Sequence, residues 1–163
     1  MDSNEVASAF QNDSLGSDDA VGIAEKIKKG ELSASLVTRD AIERAKAVNP
    51  KLNAITVENF DLAQTNSEKP FTGFFQGVPT FIKDTDEVPD LPLYLGSRSL
   101  PGEPSDKYSK AAKQIIDTGL NCLGTTTTPE FGLTGTTESL RFGATCNPSV
   151  SYTHLTLPTK LLV

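Results

Sequence analysis

Apolar positions recur at helical spacing near the start of the chain. Ala20, Val21, Ala24 and Ile27 form one face behind Ser17, a residue suited to cap a helix, with Asp18 and Asp19 where the first-turn dipole favours acids. Lys28 and Lys29 suit the other end and Gly30 supplies a stop, so the spacing predicts a helix over residues 18–29. Ser33 offers a second cap, and Val37, Ala41, Ala45 and Val48 make one stripe that Asn49 and Pro50 bring to an end. Two amphipathic helices joined by a short turn predict a packed pair. Residues 52–57 alternate and are β-branched, which predicts a strand, and residues 60–67 fit a short helix.

Residues 77–84, Gly-Val-Pro-Thr-Phe-Ile-Lys-Asp, read as a short strand buried between layers, with Pro79 near its start and Lys83 as the last side chain at the sheet rim. Pro89, Pro92, Pro101 and Pro104 then exclude regular structure until Asp106. Helical periodicity resumes over residues 107–118 through Tyr108, Ala111, Ala112, Ile115 and Ile116, Gly119 stops it, and residues 120–123 read as a second buried strand. Strand, loop, helix, strand is the order of a βαβ crossover, so the fold class is α/β with a parallel or mixed sheet, and ligands gather beyond the carboxyl ends of such strands.

The chain has 163 residues, enough for one domain and too few to expect two. A formal charge of −6 argues against a nucleic-acid backbone or an anionic membrane as the main partner, and a small neutral ligand is the easier fit. No apolar run approaches the length of a membrane span, and the first ten residues lack the basic start and apolar centre of a secretory signal, which places the protein in the cytoplasm. Residues 1–16 are polar and without period, as expected of a loose arm. Cys122 and Cys146 form no metal spacing and read as buried reduced thiols. The single histidine, His154, is the only one that a Ser-His-Asp site or a histidine zinc site could use.

Lys83 is the candidate catalytic residue. Enclosure at the rim of a sheet lowers the affinity of an amine for a proton and makes a usable general base, whereas the alternative is a strand-capping lysine paired with Asp84, Asp86 or Glu87 in water. Gly96, Ser97, Arg98 and Ser99 read either as pocket lining or as a surface turn. Residues 119–124 have the glycine spacing of a phosphate-binding loop, but Thr125 stands where the lysine must be and the glycines bracket a strand, so nucleotide binding is rejected. The hydroxyl-rich run from Thr125 through Gly143 is either a pocket wall or an irregular connection.

Taken together, Gly77-Val-Pro-Thr-Phe-Ile-Lys83-Asp84, Gly96-Ser-Arg98, Gly124-Thr-Thr-Thr-Thr-Pro-Glu-Phe-Gly132, Thr134-Gly-Thr-Thr-Glu138-Ser and Asn147-Pro148 resemble the N-terminal part of the amidase signature family, over about residues 17–148. The resemblance implies a mixed-sheet fold flanked by helices, no cofactor or metal, a small-molecule amide as partner, no direct nucleic-acid or membrane contact, and an oligomeric state left open. It also implies a Ser, cis-Ser, Lys triad in which neutral Lys83 acts through a bridging serine on a nucleophilic serine. Two departures accompany it: Thr125 stands where the family commonly has lysine, and residues 33–36 lack the glutamate of a capping box.

The family's Gly/Ser-rich signature, which carries both catalytic serines, is expected soon after Asn147-Pro148. Residues 150–163 instead resemble a translated transposase-end adaptor and are set apart from the domain, which is read as residues 17–149. The expectation is therefore an incomplete amidase domain holding one member of the triad, inactive by itself. The alternatives are an amidotransferase subunit that releases ammonia for tRNA-linked amidation, and a half-domain without catalysis.

Overall fold

Asp19, not Ser17, opens the first helix: its side chain accepts from the Gly22 amide, and α1 spans Ala20–Lys28. Asp18 is left free to pair with Lys26 across two turns. Ser33 caps α2, Ala34–Leu52, as the sequence predicts, but the helix runs through Pro50 instead of ending before it. A proline in a last turn forfeits one hydrogen bond, and Asn53, in the left-handed conformation at φ 50°, then closes the helix. Asn49 stays inside and turns its side-chain oxygen onto the amides of Ala54 and Ile55. The structure is a computed structural model and describes residues 8, 9 and 11–147. Residues 1–7 and 10 of the predicted arm, Pro148, His154 and the segment 150–163 lie outside the described residues.

The order continues β1 (Ile55–Glu58), α3 (Phe60–Asn66), β2 (Pro79–Lys83), α4 (Lys110–Ile116), β3 (Asn121–Thr126), a single 3-10 turn at Glu130–Gly132, and a hairpin of β4 (Glu138–Ser139) with β5 (Gly143–Ala144). β3 lies between the other two in a mixed sheet, parallel to β2 and antiparallel to β1. This is the predicted crossover, with β3 ending three residues later than the sequence suggests, so Thr125 and Thr126 belong to a strand and not to an irregular connection. The bulge that lengthens it sits at Gly124, with φ +143°, where a Cβ would lie 2.1 Å from the Val57 carbonyl oxygen. Helix α4 starts later than predicted because Ser109 caps it through the Ala112 amide.

Alternation sorts the core into two layers. Phe81 and Leu123 face α2 and α3, packing with Ile42, Ala45, Phe60 and Ala63. Ile82 and Cys122 face α4 and the proline-rich loop, packing with Val88, Leu91 and Ala112. A third cluster, Ile23, Ala24, Val37 and Val78, joins α1 to α2, and Leu15 packs against it. Asp13 adds an ion pair to Arg44 at 2.6 Å, and the Ser14 amide donates to Asp40, so the last residues of the predicted loose arm are fixed to α2. Cys122 and Cys146 are both free thiols, the first buried and the second only half-buried, which corrects the expectation for Cys146.

Candidate active site

β2 and β3 run side by side and end level, with Lys83 paired to Thr126 and the Asp84 amide donating to the Thr126 carbonyl at 2.9 Å. Alternation past the strand end sends neighbouring side chains to opposite faces. Lys83 leaves on the side of Phe81 and is exposed; among the described residues it makes no ion pair with Asp84, Asp86 or Glu87. The enclosure expected from its place at the rim is therefore absent from this stretch of chain, and so is the pairing of the alternative reading.

Asp84 goes the other way and is fully buried. Its carboxylate accepts from the amides of Tyr94 at 3.0 Å and Gly96 at 3.1 Å. Burial pushes its carboxyl above the usual range, while those amides and the charge of Arg141 pull the other way. In the sequence Asp84 stands out only as a possible partner for Lys83 and as the last residue of the Gly77 block. The signal that could have found its role is the acid directly after a buried strand and facing a loop rich in glycine and proline.

The loop curls around that carboxylate because Leu95 and Gly96 both take positive φ, 49° and 65°. Glycine is required at 96, since a Cβ there would lie 2.4 Å from the Thr128 carbonyl oxygen. The Phe131 amide donates to the Leu95 carbonyl at 2.8 Å, so the loop lies against the chain leaving β3. Ser97 is buried, and its hydroxyl donates to Glu130. With its one proton so placed, that oxygen accepts both the Ser99 amide at 3.1 Å and the Ser99 hydroxyl at 2.9 Å. The Gly96 to Ser99 stretch is thus buried at Ser97 and a surface turn at Arg98 and Ser99, both of which are exposed.

From the hairpin, Arg141 donates to the carbonyls of Ser97 at 3.1 Å and Leu100 at 2.9 Å, and its guanidinium lies 3.9 Å from the centre of the Tyr94 ring. Ser139 is buried too, with its hydroxyl accepting the Phe142 amide. The structure therefore gathers the strand end at Lys83, the Gly96 loop, the run after Gly124 and the Glu138 hairpin, separate in sequence, at the carboxyl end of two parallel strands. Thr125 and Thr128 are buried there with side-chain oxygens that find no hydrogen-bond partner. Among the described residues no cluster of three or more His, Cys, Asp or Glu could hold a metal ion, and no helix is long and apolar enough to cross a membrane.

Comparison with known proteins places this arrangement. The sequence model of the Amidase family matches residues 36–153. A putative amidase AmiC from Mycobacterium leprae (strain TN) is 39% identical over 140 residues, covering 86% of this chain and 30% of the relative. The 6-aminohexanoate-cyclic-dimer hydrolase of Paenarthrobacter ureafaciens is 34% identical over 133 residues, covering 80% of this chain and 27% of the relative. A 6-aminohexanoate cyclic dimer hydrolase solved with its substrate superposes with a TM-score of 0.75 at 33% identity, over 80% of this chain and 28% of that one. A bacterial aryl acylamidase of the amidase signature enzymes superposes with a TM-score of 0.72 at 28% identity, over 80% of this chain and 29% of that one. The chain spans under a third of the length of these relatives. On the family match, the identity and the shared mixed α/β fold, the chain belongs to the amidase signature family.

Proposed function

We propose that this chain supplies the lysine of a Ser, cis-Ser, Lys amidase that hydrolyses the carbon-nitrogen bond of small carboxamides. Neutral Lys83 takes the proton of a nucleophilic serine through a bridging serine. The serine oxygen attacks the amide carbonyl, the protonated lysine returns the proton to the departing amine as the carbon-nitrogen bond breaks, and water then cleaves the acyl-enzyme by the same relay. Backbone amides stabilise the oxyanion. The observation that carries this reading is the placement of Lys83: a side-chain amine with no ion-pair partner among the described residues, at the carboxyl end of a parallel strand, with the adjacent acid turned to the other face.

The serines nearby support assigning the nucleophile to a part of the enzyme outside residues 17–149. Ser97 and Ser139 are buried and their hydroxyls are engaged in holding the loop and the hairpin, while Ser99 donates to Ser97. The chain by itself accordingly has no amidase activity.

The test is a chimera in which this chain replaces the matching part of the Paenarthrobacter hydrolase. Hydrolysis of the cyclic dimer and of a panel of short carboxamides is measured, glutamine among them. Lys83→Ala is expected to lower kcat/KM by about 10²–10⁴, the usual contribution of a positioned acid-base group. A chimera that works equally well without Lys83 overturns the proposal. So does fluorophosphonate labelling of Ser97, Ser99 or Ser139 in the purified 163-residue chain.

A further inference from the structure

Residues 94–100 lie within a long proline-interrupted connection that has no strand of its own to hold it, only isolated bridges at Pro89 with Ser105 and Pro92 with Pro104. Two opposite charges hold this segment from opposite sides. On the inner side the left-handed turn at Leu95 and Gly96 brings successive backbone amides together into a cradle for an anion, and the anion is the protein's own Asp84. On the outer side the guanidinium of Arg141 takes the carbonyls of Ser97 and Leu100 and stacks on Tyr94, the residue whose amide is bound to Asp84. Amides of the first half of the segment point to the anion and carbonyls of the second half point to the cation, so the two charges hold successive peptide units of one short stretch. A buried carboxylate without a direct cationic partner is costly, and its retention is explained when it organises backbone that nothing else reaches.

Asp84 also donates its own amide to Thr126, so the cradle is referenced directly to the strand end that bears Lys83. We propose that Asp84 and Arg141 are positioning residues that act as one clamp and fix residues 94–100 against the strand end that bears Lys83. The part concerning Lys83 rests on the function proposed above; the clamp itself does not. Neither residue touches the reacting atoms. Their role is to keep that segment in a fixed place relative to the strand end.

Backbone hydrogen exchange in the 163-residue chain, read by NMR at Tyr94 and Gly96, tests the clamp. Asp84→Asn and Arg141→Met are each expected to raise exchange at both amides by about tenfold or more. The double variant should exceed the faster single variant by less than about threefold, because two halves of one clamp are not additive. The amides of Val37 and Asn121, which lie in α2 and at the start of β3, should be unchanged and report that the fold persists. Arg141→Lys keeps the charge without the planar fork and should recover part of the protection. Tyr94 and Gly96 amides that are unprotected in the parent chain, unmoved in either single variant, or multiplicatively affected in the double overturn the proposal. If a variant loses protection at Val37 as well, Asp84→Glu and Arg141→Lys carry the same comparison.

In the chimera the two substitutions should lower kcat by about 10–100-fold, the scale of a misplaced catalytic geometry, with KM changed by less than about threefold. A rise in KM at constant kcat overturns the positioning role. Full activity of Lys83→Ala would instead remove the Lys83 reading and leave the exchange result to judge the clamp.

Discussion

Between the sheet and the helices α2 and α3, the packing is mainly apolar: Leu123, Phe60, Ala63, Ile42 and Ala45 fill the layer, and a buried polar link there, Asn121 to Thr38 and the Ala63 carbonyl, is fully hydrogen-bonded through its amide nitrogen. At the carboxyl ends of β2 and β3 the joining is done by charge and backbone. Asp84, Glu130 and Arg141 each reach a different part of residues 94–100, and large apolar side chains from the same region, Phe131, Leu133 and Leu140, stand exposed. The first region is stabilised by area removed from water, which is non-directional and tolerant of small shifts. The second depends on directed hydrogen bonds, each worth little in net but demanding in geometry. Non-directional and directional stabilisation are thereby placed in different layers of the same small unit, a division that substitutions can probe.

The largest effect should come from the apolar layer. Leu123 is 2% exposed, so Leu123→Ala is expected to destabilise the chain by about 2–5 kcal/mol, seen as a lowered urea midpoint in circular dichroism. A cost as small as that of a surface change would mean that the α2 and α3 layer is not packed as described. Next comes the ion pair that ties the N-terminal segment to α2. Arg44 holds the Asp13 carboxyl below the usual carboxylate range, chiefly through its hydrogen bonds. A carboxyl lowered in the folded state contributes stability that is present above its unfolded value and is lost as pH falls through its folded value. The parent chain should therefore lose stability below about pH 4 more steeply than Arg44→Met, which at neutral pH should itself cost about 2 kcal/mol. Parallel pH curves for the two chains would remove the pair from the account.

In the polar region Ser97→Ala should cost less, about 1 kcal/mol, because it deletes one donor to Glu130 and one acceptor for the Ser99 amide while Arg141 still holds the Ser97 carbonyl. Measured beside Leu123→Ala in the same urea series, it sets the scale of the difference between the two regions. A cost equal to that of Leu123→Ala would erase the comparison.

The two regions were also legible to different degrees. Helical stripes announced α1, α2 and α4, and the strand-rich run ending in Lys83 announced β2, because periodicity is a direct record of which face meets the core. Where the boundaries moved, a single side chain decided: Asp19 and Ser109 took the caps, and Asn53 rather than Pro50 ended α2. Leu15 and the Asp13 to Arg44 pair were not readable, since a contact between residues 31 apart leaves no local pattern. The motif blocks brought Lys83, Gly96, Gly124 and Glu138 into one family resemblance, and the fold brings their segments together. What the blocks did not disclose is that Asp84 serves the backbone of the loop instead of neutralising Lys83, or that Arg141 closes the same loop from outside. Both are long-range side-chain to backbone contacts, for which one sequence carries no period and no spacing.

The smallest expected effect is the one that tests the polar region most directly. Leu133 is 81% exposed and Leu140 74% exposed, so neither side chain removes much apolar area from water in this chain. Leu133→Ser and Leu140→Ser should therefore shift stability by less than about 0.5 kcal/mol each. Serine also removes exposed apolar surface, so the same variants should precipitate less readily at high concentration. If either instead costs as much as Leu123→Ala, the region around the hairpin is stabilised by apolar burial after all, and the clamp of Asp84 and Arg141 would be acting on a segment already held by packing.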